Sequence, residues 1–194
     1  MKMRLVLAFI LLLSAIKGRA QFDTAFAKKN MVRCGDSLCK AFKSKNWDLY
    51  SRYTNPAIIG TLGGKEEFSK LMLTTFATIP AVAWKVYKPG KVLQVIKLPH
   101  EMQGLLELNS VLEWEGKRVS STAYLVAQSW DGGLNWTFFD SQSDAAAAKT
   151  IKPDISPELV YPPRKEKVEL IDDNGNLLPP PAAPKKKKPA SKRG

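Results

Sequence analysis

The spacing of apolar residues changes once along this chain, near Pro80, and that change constrains the fold more than any single motif. Between residues 24 and about 44, apolar residues recur at close to the 3.6-residue period of a helix. After Pro80 apolar and polar residues alternate, as in a half-buried strand. The chain therefore predicts an α+β domain, with helices first and a mostly antiparallel sheet after them.

Three helices are predicted before the strands. The first covers residues 24 to about 44. The stretch "NWDLYSRYT" predicts a short second helix, with Asn46 as its cap and Asn55-Pro56 as its stop. The stretch "GGKEEFSKLMLTTFATIP" predicts the third, because acidic residues follow the Gly63-Gly64 turn and fill the first helical turn.

The strands are predicted as hairpins. Pro89-Gly90 separates "AVAWKVYK" from "KVLQVIKL", which is a hairpin signal. The stretches "LLELNSVLEWE" and "RVSSTAYLVAQSW" form a second hairpin joined at Gly116-Lys117, and "LNWTFFD" is the last strand. Because both sheet faces are partly apolar, we expect helices to cover one face and a partner to pack on the other.

The two ends of the chain differ from its middle. Residues 1–20 combine a basic start, the apolar run "LVLAFILLLSAI" and small residues, which predicts a signal peptide cleaved near Ala20 and Gln21. A secreted or periplasmic location follows. Residues 143–178 are predicted to wrap the domain as an extended arm ending in an Asn174-Gly175 turn. Residues 179–194 are predicted to be a disordered Pro/Lys-rich tail.

The net charge of +12 belongs mostly to these ends. Four of the positive charges lie in the leader and six in the tail, which leaves +2 for residues 21–181. A nucleic-acid-binding domain carries its basic stripe on the fold, so nucleic acid is excluded as a partner. The tail suits an anionic envelope surface, and a purely solubilising tail without a partner is the alternative.

The stretch "SWDGGLNW" (129–136) matches Ser-x-Asp-x-Gly-x-x-Trp and resembles the Asp-box of sialidase-like β-propellers. A propeller needs four or more blades of about 40 residues each, and this motif occurs once after helices. A hairpin loop is the simpler prediction. Asp131 would accept backbone hydrogen bonds, Gly132 and Gly133 would take left-handed angles, and Trp136 would pack over the turn.

The order of these elements resembles the nuclear transport factor 2-like superfamily, which includes SnoaL-like proteins. The resemblance is carried by "FKSKNWDLYSRYTNPAIIG", by "GGKEEF" at the start of the third helix and by the terminal "NWTFFD". It implies a cone-shaped fold over residues 21–142, with three N-terminal helices packed on a curved sheet. It also implies a pocket between them, which in the superfamily serves enzymes, ligand binders and dimerisation modules alike.

Several aromatic residues are candidates for lining that pocket, although plain core packing is the simpler explanation, because aromatic residues dominate cores anyway. They are Trp47, Tyr50, Tyr53, Trp84, Tyr124, Trp136 and Phe138. The ionisable candidates are Asp48, His100, Glu113 and Asp140. None forms a pair at a spacing typical of the superfamily's isomerases or dehydratases, so no catalytic residue is assigned.

Cys34 and Cys39 lie in the first helix. On a continuous helix, residues five apart point about 140° from each other, which favours two unpaired thiols, one of them buried. A disulfide would require Gly35-Asp36-Ser37 to break the helix. One histidine and two cysteines do not supply a metal site, and no cofactor is predicted.

The sequence thus predicts an exported, noncatalytic module that binds a small apolar molecule or a protein, with a homodimer left open. The alternatives are a small lyase, isomerase or hydrolase that uses the same cavity, and an envelope scaffold that acts through the basic tail. An enzyme would need an ionisable group with a shifted pKa inside the cavity, whereas a binding module would not.

Overall fold

Helices and strands form two layers, in the order that the apolar spacing predicts. A computed structural model describes residues 23–179 of the chain. It shows an α+β architecture in which a cluster of N-terminal helices packs against an open, mostly antiparallel sheet. The predicted signal peptide and the predicted basic tail beyond residue 179 lie outside the described residues.

The elements are numbered in chain order. They are α1 (Thr24–Lys43), α2 (Trp47–Tyr53), α3 (Pro56–Thr61), α4 (Lys65–Thr75), β1 (Trp84–Lys97), β2 (Met102–Trp114), β3 (Lys117–Ser129), β4 (Thr137–Asp140), α5 (Ala145–Ile151) and β5 (Lys165–Leu170).

Side-chain caps fix the starts of the first two helices. The carboxylate of Asp23 accepts a hydrogen bond from the Phe26 amide at 2.9 Å, and the Asn46 side chain accepts one from the Leu49 amide at 2.9 Å. These bonds satisfy amides that have no partner within the helix. The three predicted helices are confirmed as α1, α2 and α4. Among residues 23–179, no helix has the length and apolar character needed to cross a bilayer.

The helix α3 was not predicted. Asn55-Pro56 does end α2, but it also starts α3, so four α-helices of the described residues precede the sheet. The Asn55 side chain accepts a hydrogen bond from the Ala57 amide at 2.9 Å, and Pro56 occupies the first turn, where a missing N–H costs nothing. Proline had been interpreted only as a terminator, although it is also a common first residue of a helix.

The sheet has the order β1-β2-β3, and β4 and β5 both pair with the far edge of β3. β4 pairs with residues 125–128 of β3, and β5 pairs with residues 117–122. Every one of these strand pairs is antiparallel. The last two strands therefore share one edge and leave β1 as the opposite edge.

The predicted hairpin at Pro89-Gly90 is wrong. Residues on both sides of it belong to β1 and pair with β2, with a register shift between Pro89 and Val92. The second predicted hairpin exists, but Trp114 pairs with Lys117, so its turn is Glu115-Gly116. Both turn residues have positive φ, 51° and 70°, which matches the twist of antiparallel strands.

The sheet has a core on each face. Leu106 and Leu108 pack with α1 on the helix face, while the neighbouring Leu105 packs on the opposite face with Val126 and Phe139. Adjacent strand residues point to opposite sides, so one strand serves both cores. The segment predicted as an extended arm contains α5 and β5, and its residues 148–161 cover the second core. We call residues 143–164 the covering segment.

A buried polar network holds the covering segment to the sheet. The Lys152 ammonium lies 3.1 Å from the Glu101 carboxylate, and each side chain is only 9 % exposed. The Gln103 side chain accepts a hydrogen bond from the Ser156 amide at 2.7 Å. The Glu101 carboxylate also accepts hydrogen bonds from Gln103 and Gln128. These bonds offset the cost of burying charge at this face.

Candidate functional site

A cavity of about 400 Å³ separates the helices from the helix face of the sheet. That volume lies within the range of small-molecule sites, roughly 300–1,000 Å³. Its walls come from the four helices α1 to α4 and from the first four strands, and most of the lining side chains are apolar. The main lining residues are Leu38, Phe42, Phe68, Met72, Phe76, Trp84, Leu108 and Phe138.

Phe42 organises the aromatic wall. Its ring is stacked on Tyr87 with centroids 4.3 Å apart, and it meets Phe76 and Trp84 edge to face at 4.9 Å and 5.2 Å. Such pairs stabilise a protein by about 0.5–1.5 kcal/mol each beyond the area that they bury. The helical spacing of Leu38 and Phe42 places both on the cavity side of α1. The wall is therefore held by mutually packed rings from a helix and a strand.

Two partly buried tyrosines supply the polar group inside the cavity. Tyr50 from α2 and Tyr87 from β1 place their hydroxyl groups close to each other. Burial raises the pKa of Tyr50 to about 12, and burial together with the Tyr50 hydroxyl raises the pKa of Tyr87 well above its ordinary value of 10. Both phenols are protonated at neutral pH. Of two neighbouring hydroxyls, one can donate to the other, which leaves one O–H proton for an acceptor on a guest molecule.

An ion pair stands at the edge of the cavity. Arg164, from the covering segment, places its Nη1 atom 3.9 Å from an Asp140 carboxylate oxygen. Its Nε atom donates to the Ser121 hydroxyl at 3.3 Å. Both charged side chains are about two-fifths exposed, 42 % for Arg164 and 39 % for Asp140, so water reaches them. The cavity thus has an apolar interior and a charged, hydrated rim.

The predicted pocket aromatics divide into three groups. Tyr50, Trp84 and Phe138 line the cavity. Trp47 lies behind the wall, with its ring edge to face with Tyr50 at 5.9 Å. The other three predicted residues do not line it: Tyr53 packs against the core on the helix face, Tyr124 is buried on β3, and Trp136 is buried near the β3–β4 loop.

Among the ionisable candidates, Asp140 alone lines the cavity. Asp48 is exposed, and hydrogen bonding to Lys65 lowers the pKa of its carboxyl. Glu113 pairs with Arg118 and Lys85, and its hydrogen bond to Arg118 lowers its pKa. His100 is exposed in the β1–β2 loop. Asp48 and Glu113 are therefore ionised partners of basic residues. Their lowered pKa values differ from that of a general base, whose pKa lies near the working pH.

Cys34 and Cys39 are unpaired, and α1 runs through them without a break. Both thiols are buried, where only one was expected to be. Burial raises the pKa of Cys39 to about 12, so its thiol is not poised as a nucleophile. Within residues 23–179, no three His, Cys, Asp or Glu side chains are grouped to hold a metal ion.

The Asp-box stretch forms the loop between β3 and β4. Asp131 accepts hydrogen bonds from the Leu134 and Asn135 amides at 3.1 Å and 2.9 Å. Gly133 has φ of 87°, and the Trp136 indole donates to its carbonyl at 3.1 Å. The predicted hydrogen-bonding pattern is confirmed, and it shapes a loop that packs against α1 at Ala27 instead of facing the cavity.

The same loop chemistry recurs after β5. Asp172 accepts hydrogen bonds from the Asn174 and Asn176 amides at 2.9 Å and 2.8 Å, and from the Asn176 side chain at 3.0 Å. In both loops the aspartate binds the backbone and the side chain of an asparagine four residues later. The loops at Asp131 and Asp172 therefore have the same hydrogen-bonding pattern, which supports a structural role for the Asp-box stretch.

Sequence reasoning missed several cavity residues. Phe68 and Phe76 follow the apolar spacing of a helix, and nothing local distinguishes a cavity wall from a filled core. Phe42 and Tyr87 had the same apolar spacing as core residues. Arg164 was missed because it lies 24 residues beyond its partner Asp140 in the sequence, and no periodic pattern joins them.

No protein-family model matches this chain, and no curated protein matches it either. The functional argument therefore depends on the cavity and its residues.

Proposed function

We propose that this protein is a noncatalytic binding module for a small, largely apolar molecule that carries one hydrogen-bond acceptor. The observation that supports the proposal is the pair of partly buried tyrosines, Tyr50 and Tyr87, inside an aromatic cavity of about 400 Å³. Protein interiors normally leave few voids larger than a water molecule, so an apolar space of this size is available for a guest. Burying a guest's apolar surface contributes about 25 cal/mol per Å².

The walls favour an apolar or aromatic ring system over a sugar. Aromatic faces at Phe42, Phe76 and Trp84 provide broad contact but few hydrogen bonds. One phenol O–H can donate to a guest carbonyl or hydroxyl oxygen. A sugar would bring several hydroxyls into a cavity that satisfies only one or two of them, and each unsatisfied hydroxyl costs roughly 1–3 kcal/mol.

The enzyme alternative is supported less. A lyase, isomerase or hydrolase needs an acid or base that points at the substrate, and both interior phenols are protonated at neutral pH. Asp140 is the candidate acid at the cavity, and it is paired with Arg164 at the hydrated rim. Binding without turnover would favour the module, whereas turnover that depends on Asp140 would favour the enzyme.

The proposal includes the cone-shaped nuclear transport factor 2-like fold and an exported location. The helix cluster packed on an antiparallel sheet supports the first, and the leader-like composition of residues 1–20 supports the second. A homodimer is compatible with both, and a scaffold acting through the basic tail is the competing assignment. Sedimentation of the mature protein would measure the oligomeric state.

A hydrophobic fluorescent dye, titrated into the mature protein, tests the cavity directly. Ala123 lines the cavity on β3, so Ala123→Trp should fill it and weaken dye binding at least tenfold. The matched control is Ala146→Trp, which adds the same ring at an exposed position on α5. Equal weakening by both variants, or by neither, would show that the dye binds elsewhere and would contradict the proposal.

A further inference from the structure

The charged groups at the rim of the cavity carry a net negative charge. Among the described residues that line the cavity, Asp140 and Arg164 are the charged ones. The Arg164 Nη1 atom lies 3.9 Å from an Asp140 carboxylate oxygen, and its Nη2 atom lies 3.7 Å from a Glu166 carboxylate oxygen. Both separations exceed the length of an ordinary hydrogen bond, about 2.7–3.2 Å. One guanidinium therefore lies loosely between two carboxylates, which leaves a negative charge in excess.

The negative charge of Asp140 acts inside the cavity. Burial is the main cause that raises the pKa of Tyr50 to about 12, and the Asp140 carboxylate is a smaller cause. The same two causes contribute to the raised pKa of Tyr87. A field that opposes a phenolate at these hydroxyls favours a positive charge at the same place, because one electrostatic potential acts on both. The sign of this potential therefore suits a cationic guest.

The rings around the cavity have their planes in more than one direction. Phe76 and Trp84 lie at 80° and 82° to Phe42, and the rings of Tyr50 and Phe68 are nearly parallel with centroids 6.0 Å apart. All five residues line the cavity. The face of an aromatic ring is negative and attracts a cation within about 6 Å, most strongly where water is excluded. Walls of this kind favour a cation over an anion, in agreement with the charge of the rim.

We propose that the guest of this cavity is an organic cation, with an ammonium group that lies between the aromatic rings and Asp140 and an apolar body that fills the interior. The inference rests on the proposed function and names the class of guest. Aromatic rings around the charge are a common means of recognising quaternary ammonium groups. A guest carboxylate would bind Arg164 only in competition with Asp140 and Glu166, so the rim favours the cation.

Displacement of the hydrophobic dye by three probe molecules tests this inference. Benzyltrimethylammonium and neopentylbenzene have the same shape and differ in one atom, a charged nitrogen in place of a neutral carbon, while phenylacetate supplies the opposite charge. We expect the cation to displace the dye at a concentration at least about fivefold lower than its neutral isostere, and phenylacetate to be the weakest. Ala123→Trp should weaken binding of the cation and the isostere alike, which would locate both in the cavity.

The variant Asp140→Asn removes the charge at the rim and keeps an oxygen for the Gln142 amide, which donates to Asp140 at 2.7 Å. The ratio of cation affinity to isostere affinity should fall about threefold in this variant, because a partly exposed charge pair is lost. The matched control is Asp48→Asn, which removes the same charge from a surface acid outside the cavity and should keep the ratio.

A neutral isostere that displaces the dye as well as the cation does, or phenylacetate that binds more tightly than the cation, would overturn the inference and leave the proposed function standing. A ratio that Asp140→Asn leaves unchanged would do the same. If Ala123→Trp and Ala146→Trp weaken dye binding equally, the proposed function fails and the inference fails with it.

Discussion

The two faces of the sheet are built from the same strands but are completed differently. On the helix face, rings from α1, α2 and α4 enclose a space of about 400 Å³ around Tyr50 and Tyr87. On the opposite face, which we call the sealed face, the covering segment packs over Leu105 and Val126. Its Lys152 forms an ion pair with the buried carboxylate of Glu101. On the helix face, the tyrosine pair lies beside a cavity. On the opposite face, the Lys152–Glu101 ion pair holds the covering segment against the sheet.

This difference between the two faces supports the proposal that the helix face binds a guest molecule. The chain has the means to fill a sheet face, since residues 148–161 do so on one side. Because the helix face is not filled, its side chains lack van der Waals contacts that they would make in a packed core. A guest that enters the cavity would restore those contacts.

The largest expected effect comes from opening the sealed face. Lys152→Ala would leave the Glu101 carboxylate buried without its cation, and we expect a loss of roughly 3–5 kcal/mol in the free energy of unfolding, as for other broken buried pairs. Urea denaturation measures it, and Lys149→Ala, on an exposed part of α5, is the matched control. A loss below about 1 kcal/mol, the value of a surface pair, would show that this face is not sealed by the ion pair.

The tyrosine pair on the cavity face predicts a loss of stability in alkali. Both folded pKa values lie above the ordinary value of 10, so the contribution is complete below pH 10 and is lost as the pH rises through about 12. For Tyr50 the shift corresponds to about 2–3 kcal/mol. Denaturation between pH 8 and 12 should show a smaller fall for Tyr50→Phe/Tyr87→Phe than for the control Tyr53→Phe. Parallel curves for the two variants would contradict the buried pair.

A matched pair of enlargements compares the faces directly. Ala148 is fully buried on the sealed face, and Ala148→Leu should cost about 1–3 kcal/mol through overpacking. Ala123 borders the cavity, so Ala123→Leu has room and should change stability by less than about 1 kcal/mol. Thermal or chemical denaturation measures both, and equal costs would mean that the cavity is not open to a side chain.

The smallest effect is expected at Asp48, the surface acid outside both faces. Asp48→Asn removes exposed ion pairs with Lys65 and Arg52, which should leave the free energy of unfolding nearly unchanged because water screens both pairs. It should leave dye affinity unchanged, since Asp48 does not line the cavity. Titration calorimetry with the dye checks this, and a tenfold change in affinity would return Asp48 to the list of site residues.

Local signals were enough to predict α1, α2 and α4 and most of the strands. Caps such as Asn46 and the periodicity of α1 act within a few residues, so the sequence displays them. Pro89-Gly90 was misassigned because its outcome depends on β2, which is long enough to pair with residues on both sides of it. The role of Pro56 as a helix start depends likewise on Asn55, whose side chain also bonds to Gln128 on β3.

The cavity was harder to predict than the fold. Trp84 and Tyr124 look alike in the sequence, but strand alternation sends the side chains of Ala123 and Leu125 into the cavity wall and leaves Tyr124 out of it. Partners such as Arg164 and Asp140 meet only after the covering segment has crossed the sheet. Residue types therefore predicted an aromatic pocket, and tertiary packing decided its members.

Native mass spectrometry of the protein, purified from its own host, tests the central claim most directly. The account predicts a small molecule that is retained under gentle conditions, lost on denaturation, and absent from Ala123→Trp, while Ala146→Trp retains it. An empty protein that also takes up no added apolar molecule would contradict the account. So would a retained molecule that Ala123→Trp does not displace.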